Sequence, residues 1–122
     1  KLNKIILKRR NNASLYQKYL DQTKVYIPKE KKYQYNTYHT FVVQVDKRDQ
    51  LKKFLQNNGI STTIHYPIPI HLQPAAKYLG YKKGSFPVTE KQAKRILTLP
   101  INQYLRDKDI KKISEKINFF YK

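Results

Sequence analysis

Two histidines lie six residues apart in the segment IHYPIPIHLQP, residues 64–74, together with a tyrosine, a glutamine and three prolines. His65, Tyr66, His71 and Gln73 offer hydrogen-bond donors and acceptors, while each proline fixes one backbone angle and lowers the entropy lost on ordering the segment. Rigid loops at the edge of a sheet are common positions for binding groups. The pattern is typical of one wall of a polar small-molecule site, and it lacks the groups of a complete catalytic centre.

The two imidazoles allow three interpretations. A metal site requires a third ligand, for which His39 and Asp46 are available, but the sequence contains neither an HxH nor an HExxH pattern. A general base requires a carboxylate partner, and the segment contains none. In the third interpretation, one or both imidazoles hydrogen-bond to backbone within a loop stiffened by proline. All three remain open on these residues, and the metal site is the least favoured.

No other residues indicate a catalytic centre. The serines lack the context of a nucleophile elbow, and the sequence has neither a P-loop nor a GxGxxG motif. The absence of cysteine excludes disulfides and thiolate metal ligands. Only 8 acidic residues are present, so paired carboxylates are not expected. We therefore predict neither a catalytic residue nor a metal site in the chain.

The chain is strongly basic, with a formal net charge of +18 over 122 residues. One interpretation is a protein that binds nucleic acid or another polyanion. The other is compositional, because the lysines are spread along the whole chain and decorate every solvated face. No apolar run is long enough to span a bilayer, so no membrane partner is predicted. The apolar part of the basic start is too short for the core of a signal peptide. The absence of cysteine is compatible with a cytoplasmic protein.

Periodicity predicts the elements that must position these groups. Spacings of 4, 3, 4, 3 and 4 from Leu2 to Leu20, in an apolar stripe interrupted by Arg9, predict a helix that ends near Asp21. A short strand is expected to follow at residues 25–27. Residues 37–45 are rich in β-branched and aromatic side chains, and Phe41, Val43 and Val45 share one face, which predicts a central strand. Asp46 is then expected to cap a helix that stops at Gly59.

The second half predicts shorter elements. STTI, before the histidine segment, is a second strand candidate, and residues 75–79 suggest a short helix closed by Gly80. Pro87 suits the start of a helix to about Arg95, and ILTLP predicts a third strand. Asp107 is expected to cap the last helix. The order predicts one α+β domain, a small sheet with helices packed on one face.

Several blocks of the sequence resemble one protein family in the same order. They are RRNNASLYQKYL, RDQLKKFLQNNGI, HYPIPIHLQPA, LGYKKGSFPVTE, LTLPI and LRDKDIKKI. They are similar to the C-terminal small domain of the DegT/DnrJ/EryC1/StrS aminotransferases, pyridoxal-phosphate-dependent enzymes that aminate nucleotide-linked keto sugars. The resemblance implies a linking helix over residues 1–22 and a small domain over residues 23–122. It also implies a mostly antiparallel sheet, as in the small domain of fold-type I aminotransferases.

The resemblance also implies what the chain lacks. The family's Schiff-base lysine, the acidic partner of the pyridine nitrogen and the phosphate-binding loop belong to a large domain, and none of their motifs occurs here. The implied partners are that large domain, the nucleotide sugar and, in the full-length enzyme, a second copy of the same chain. Pyridoxal phosphate is implied for the parent enzyme, with none bound covalently to this fragment and with cofactor-binding residues unknown.

The resemblance implies that His65, Tyr66, His71 and Gln73 line the substrate side of the interface between the two domains, with His71 favoured most. Arg9 or Arg10 is a candidate for the basic surface that meets the nucleotide diphosphate, and the alternative is a solvated helix face. His39 is expected to be packed or at an edge.

Three functional hypotheses follow. The first is a small domain of a nucleotide-sugar aminotransferase for surface polysaccharide or amino-sugar biosynthesis, inactive alone and contributing one wall of the site. The second is a free-standing basic module that binds nucleic acid or another polyanion, with 11 tyrosines available for stacking. The third is a structural or regulatory fragment that docks on a full-length partner.

Overall fold

The computed structural model describes all residues from 1 to 122. Four α-helices and three β-strands form an α+β fold. Two short 3₁₀ segments, Ile70–Leu72 and Pro74–Leu79, lie in the middle of the chain. In chain order the elements are α1 (Leu2–Tyr19), β1 (Val25–Tyr26), β2 (Phe41–Val45), α2 (Arg48–Asn57), α3 (Pro87–Ala93), β3 (Ile96–Leu99) and α4 (Asp107–Phe120). None of these helices has the length and apolar character needed to cross a bilayer.

The sheet is antiparallel throughout, in the order β1-β2-β3, so the predicted central strand is confirmed in position. It begins at Phe41 rather than at residue 37. Val25 pairs with Val45, and Phe41 pairs with Leu99. Because successive side chains of a strand point to opposite faces, Phe41, Val43 and Val45 enter the core together, while the two residues between them are half-buried. This alternation fixes the register, since a shift by one residue would expose the apolar set.

The core lies between this sheet face and the helices, as the predicted α+β architecture requires. Helices α1, α2 and α4 supply much of the rest, among them Ala13, Tyr16, Leu51, Leu55, Ile110 and Ile117. The Tyr16 ring stacks on Phe41 with centroids 4.9 Å apart, and its hydroxyl donates to the Pro100 carbonyl oxygen at 2.8 Å. Full burial of each large aliphatic side chain contributes about 1.5–3 kcal/mol.

The start of α2 differs from the prediction that Asp46 caps it. The chain turns through Lys47, whose φ of 51° is left-handed, and the helix begins at Arg48 without a side-chain cap. Asp46 instead pairs with Arg95 at 3.2 Å. The prediction was wrong because a tertiary ion pair, invisible in local sequence, takes the carboxylate away from the helix end.

The predicted cap of α4 was also wrong, by one residue. Asp107 is the first helical residue, and Arg106 precedes it. The carboxylate of Asp109 accepts the backbone N–H of Arg106 at 3.0 Å, which satisfies a donor at the helix start. Asp107 accepts a hydrogen bond from Lys8 Nζ at 3.0 Å and so joins α4 to α1.

The remaining elements lie close to their predicted positions, with one exception. STTI is not a strand, because only Thr63 bridges to Thr98 of β3, before the prolines stop further pairing. The helix predicted over residues 75–79 is the 3₁₀ segment Pro74–Leu79, and Gly80 ends it with a φ of 74°. Helix α1 ends at Tyr19, close to the predicted end.

Candidate functional site

The segment of residues 64–74, called here the proline loop, leaves the sheet directly after the Thr63–Thr98 bridge. Its own hydrogen bonds are short in range. The Leu72 N–H donates to the Pro69 carbonyl at 2.9 Å, and Gln73 Nε2 donates to the Ile68 carbonyl at 3.3 Å. The half-buried Gln73 thus closes the loop on itself, and its amide is committed to backbone in this structure.

His65 and Tyr66 lie at the exposed start of the proline loop. His65 Nδ1 is 3.0 Å from Thr98 Oγ1, which fixes the ring above β3. The Tyr66 ring meets the His65 ring edge-on with centroids 5.4 Å apart, and the peptide bond between them is cis. Tyr66 is 71% exposed, so its hydroxyl is available to a ligand. His65 is exposed as well, and its Nε2 makes no hydrogen bond within the chain.

His71 lies at the other end of the proline loop and points inward. Its side chain is 7% exposed, and its Nε2 lies 3.0 Å from Glu90 Oε1. The ring also contacts Phe86 edge-on, with centroids 4.8 Å apart. Of the four predicted site residues, the structure therefore brings His65 and Tyr66 to the surface and buries the one favoured most.

Glu90, in α3, accepts hydrogen bonds from backbone groups as well as from the imidazole. Its Oε1 also accepts the backbone N–H of Gly84 at 2.7 Å and that of Phe86 at 3.4 Å. Burial acts to raise the pKa of Glu90, but the hydrogen bonds from Gly84, His71 and Phe86 outweigh it and hold the pKa below its usual value. An ionised carboxylate can only accept, so His71 Nε2 is the donor of this pair.

Both candidate arginines are committed inside the chain. Arg10 forms a bidentate pair with Glu30, with both N–O distances 2.9 Å, and stacks on Tyr35 with its guanidinium carbon 4.3 Å from the ring centroid. The hydrogen bond from Arg10 is the largest cause that lowers the pKa of Glu30 to about 2. Arg9 Nη1 donates to the carbonyl oxygens of Tyr38 and His39, at 3.3 and 3.0 Å. The two guanidinium groups thus fasten the connector before β2 to α1.

The structure shows no arrangement of side chains that fits a metal site. No group of three or more histidine, cysteine or carboxylate residues lies together in the structure. His39 is exposed, and Asp46 is engaged with Arg95. The residues that sequence reasoning missed are Thr98 and Glu90, the partners of the two imidazoles, and no local motif marks either of them.

The proline loop is an open surface, and the larger clefts lie elsewhere. A polar cleft of about 500 Å³ lies beside Arg10 and Glu30, and one of about 380 Å³ lies between the end of α2, β3 and α4. Around the proline loop, large apolar side chains are exposed instead, namely Tyr66, Ile68, Ile70 and Tyr78, at 50–85%. Exposed apolar surface of this kind is typical of an interaction site.

Comparison with known proteins gives one consistent result. A sequence model of the DegT/DnrJ/EryC1/StrS aminotransferase family matches residues 1–118. The chain is 39% identical to a pleiotropic regulatory protein of Geobacillus stearothermophilus, in a match covering 93% of this chain and 32% of that protein. It is 30% identical to the dTDP-3-amino-3,6-dideoxy-alpha-D-galactopyranose transaminase of Aneurinibacillus thermoaerophilus, covering 91% of this chain and 30% of that enzyme.

A solved structure agrees in fold as well as in sequence. DesV of S. venezuelae, crystallised with a ketimine intermediate, superposes with a TM-score of 0.91 and 28% identity over 97% of this chain and 32% of DesV. The chain therefore spans about a third of the length of the relatives it matches. With the family model covering nearly every residue, the chain belongs to the DegT/DnrJ/EryC1/StrS aminotransferase family.

Proposed function

We propose that this chain is the small domain of a pyridoxal-phosphate-dependent aminotransferase that acts on nucleotide-linked keto sugars. The observation that carries the proposal is the family match over residues 1–118. It is supported by relatives named as nucleotide-sugar transaminases, of which the matches cover 30% and 18%. The polar, open surface at the start of the proline loop fits one wall of a site whose reactive part lies on other polypeptide.

Within that wall, His65 and Tyr66 are the residues proposed to touch the sugar. Both are exposed, and the His65 ring is held by Thr98 while Nε2 remains without a partner in the chain. An imidazole and a phenol at fixed positions suit the hydroxyl groups of a sugar, because each can donate or accept. Gln73 and His71 are proposed to contribute from within the loop, since their polar atoms already bind Ile68 and Glu90.

The residues of this chain do not fit the cofactor itself. A lysine that binds pyridoxal phosphate covalently must be held with little freedom beside the cofactor. None of the lysines here is buried. We propose that the cofactor is held by the large domain and that this chain alone does not transaminate.

A direct experiment tests this division of labour. The 122-residue chain is mixed with pyridoxal phosphate, reduced with borohydride and digested, and the peptides are examined by mass spectrometry. We expect only scattered, substoichiometric labelling of exposed lysines, whereas a full-length protein carrying this domain should label at one lysine outside it. Stoichiometric labelling of one lysine in this chain would contradict the proposal, as would a full-length protein that fails to aminate any nucleotide-linked keto sugar.

A free-standing polyanion-binding module is the second candidate, and the net charge of +18 is the observation that favours it. Exposed tyrosines lie in separate segments, with Tyr33 at 79%, Tyr78 at 85% and Tyr104 at 84% exposure. In the first proposal the same charge attracts the diphosphate of a nucleotide sugar, so charge alone does not choose between them.

A further inference from the structure

One carboxylate oxygen, Oε1 of Glu90, lies at the meeting point of two segments. From the proline loop it accepts a hydrogen bond from His71 Nε2, with the two atoms 3.0 Å apart. From the turn before α3 it accepts the N–H groups of Gly84, at 2.7 Å, and of Phe86, at 3.4 Å. Glu90 itself lies in α3, so a single side chain joins the loop, the turn and the helix.

The proline loop needs such a connection because its backbone supplies little. Its three prolines have no N–H to donate, and sheet pairing ends at Thr63. The hydrogen bonds of Leu72 and Gln73 stay within the loop. Two side-chain hydrogen bonds tie it to other elements, His65 to Thr98 at its start and His71 to Glu90 near its end.

The second of these connections is well shielded from water. The side chains of His71 and Glu90 are 7% and 14% exposed, and the Phe86 ring covers the imidazole. Removing the carboxylate would leave the shielded imidazole donor without its acceptor, while the N–H groups of Gly84 and Phe86, in the exposed turn, could turn to water. Losing an acceptor in this way costs more than the hydrogen bonds contribute on average.

We infer that Glu90 is a positioning residue, which through His71 holds the proline loop in the shape that presents His65 and Tyr66. This inference rests on the proposed function for the identity of the ligand, a nucleotide-linked sugar. The hydrogen bonds themselves do not depend on it. Glu90 touches no ligand in this arrangement and acts only through the loop.

Loop order in the 122-residue chain is the first measurement. Backbone order parameters from ¹⁵N relaxation should lie near about 0.85 at Ile68, Ile70 and Leu72 in the wild type and fall below about 0.6 in Glu90→Ala. Glu90→Gln should retain order, because its Oε1 can still accept all three hydrogen bonds. Unchanged order in Glu90→Ala would overturn the inference.

Two further variants separate a local effect from general destabilisation. Glu115→Gln changes an exposed glutamate on α4 and should leave the order parameters of the loop unchanged. His71→Ala should loosen the loop as Glu90→Ala does, and the two changes together should add no further loss. If Glu90→Ala does not fold, Glu90→Gln and His71→Ala still decide the matter: an ordered loop in His71→Ala contradicts the inference.

The second measurement uses the full-length protein that carries this domain. Glu90→Ala should raise KM for the nucleotide sugar at least tenfold. Its kcat should stay within about twofold of the wild-type value, because the chemistry lies elsewhere. Glu90→Gln should keep the wild-type KM. An unchanged KM despite a loosened loop would overturn the positioning role. A wild-type protein without transaminase activity would instead refute the proposed function, and the relaxation measurement would still decide the role of Glu90.

Discussion

His65 and His71 have the same side chain and lie in the same loop, yet the structure gives them different roles. His65 keeps one nitrogen free at the surface, whereas His71 is buried against Phe86 and paired with Glu90. An imidazole shielded from water and bound to a carboxylate serves stability first. An exposed one with an oriented ring is better placed to meet a ligand.

Alanine substitutions should separate these two roles. His71→Ala should lower the urea midpoint of unfolding of the 122-residue chain, because it leaves a void beside Phe86 and removes a donor from Glu90. His65→Ala should change the free energy of unfolding by less than about 0.5 kcal/mol, as is usual for exposed positions. In the full-length protein His65→Ala should raise KM for the nucleotide sugar without a change in the urea midpoint, whereas His71→Ala should change both. A larger loss of stability in His65→Ala than in His71→Ala would contradict this assignment.

At the scale of elements, side chains rather than backbone hold the irregular segments in place. Arg10 of α1 forms a bidentate ion pair with Glu30 and so holds the connector between β1 and β2 against α1. Glu90 of α3 does the same for the proline loop. Each irregular segment is thus attached to a helix by a carboxylate with a lowered pKa.

The Arg10–Glu30 pair predicts a pH dependence of stability. The pKa of Glu30 is about 2 in the fold and 4.5 in its unperturbed form. A carboxyl group with a lowered folded pKa stabilises the fold above its unfolded pKa and loses that contribution as the pH falls through the folded value. The difference in urea midpoint between wild type and Glu30→Gln should therefore be largest near pH 6 and shrink towards pH 2. A difference that is constant over this range would show that the ion pair contributes nothing.

Sequence patterns predicted the regular elements well and the contacts between them poorly. Alternation identified β2, and 3.6-residue periodicity identified α4, because both patterns reflect burial along a short stretch of chain. The predicted caps at Asp46 and Asp107 were wrong because each carboxylate binds a cation from elsewhere in the chain, Arg95 or Lys8. Local sequence carries no record of such a partner.

At the scale of the whole molecule, the surface combines a net charge of +18 with exposed apolar side chains around one loop. The electrostatic field of such a charge attracts phosphate-bearing molecules in general, whatever their structure. The apolar surface is specific in position and fits the proposal that another domain covers it.

The salt dependence of polyanion binding distinguishes general attraction from a dedicated function. We expect the 122-residue chain to bind single-stranded DNA at 50 mM salt and to lose about a thousandfold or more in affinity by 200 mM, because the attraction is electrostatic. Fluorescence anisotropy with a labelled oligonucleotide measures this loss. Tight binding that survives at 200 mM, with protection of the exposed tyrosines, would favour the polyanion-binding module over the aminotransferase domain.

The sequence by itself determined the α+β order of elements and the position of two imidazoles in one segment that carries three prolines. These features depend on residue type and on spacing over a few residues. Only the tertiary structure decided which imidazole faces solvent, since Thr98 and Glu90 lie 33 and 19 residues from their partners. Contacts across such separations arise when the elements pack, and the packing of the proline loop against β3 and α3 is what buries His71 and leaves His65 and Tyr66 exposed.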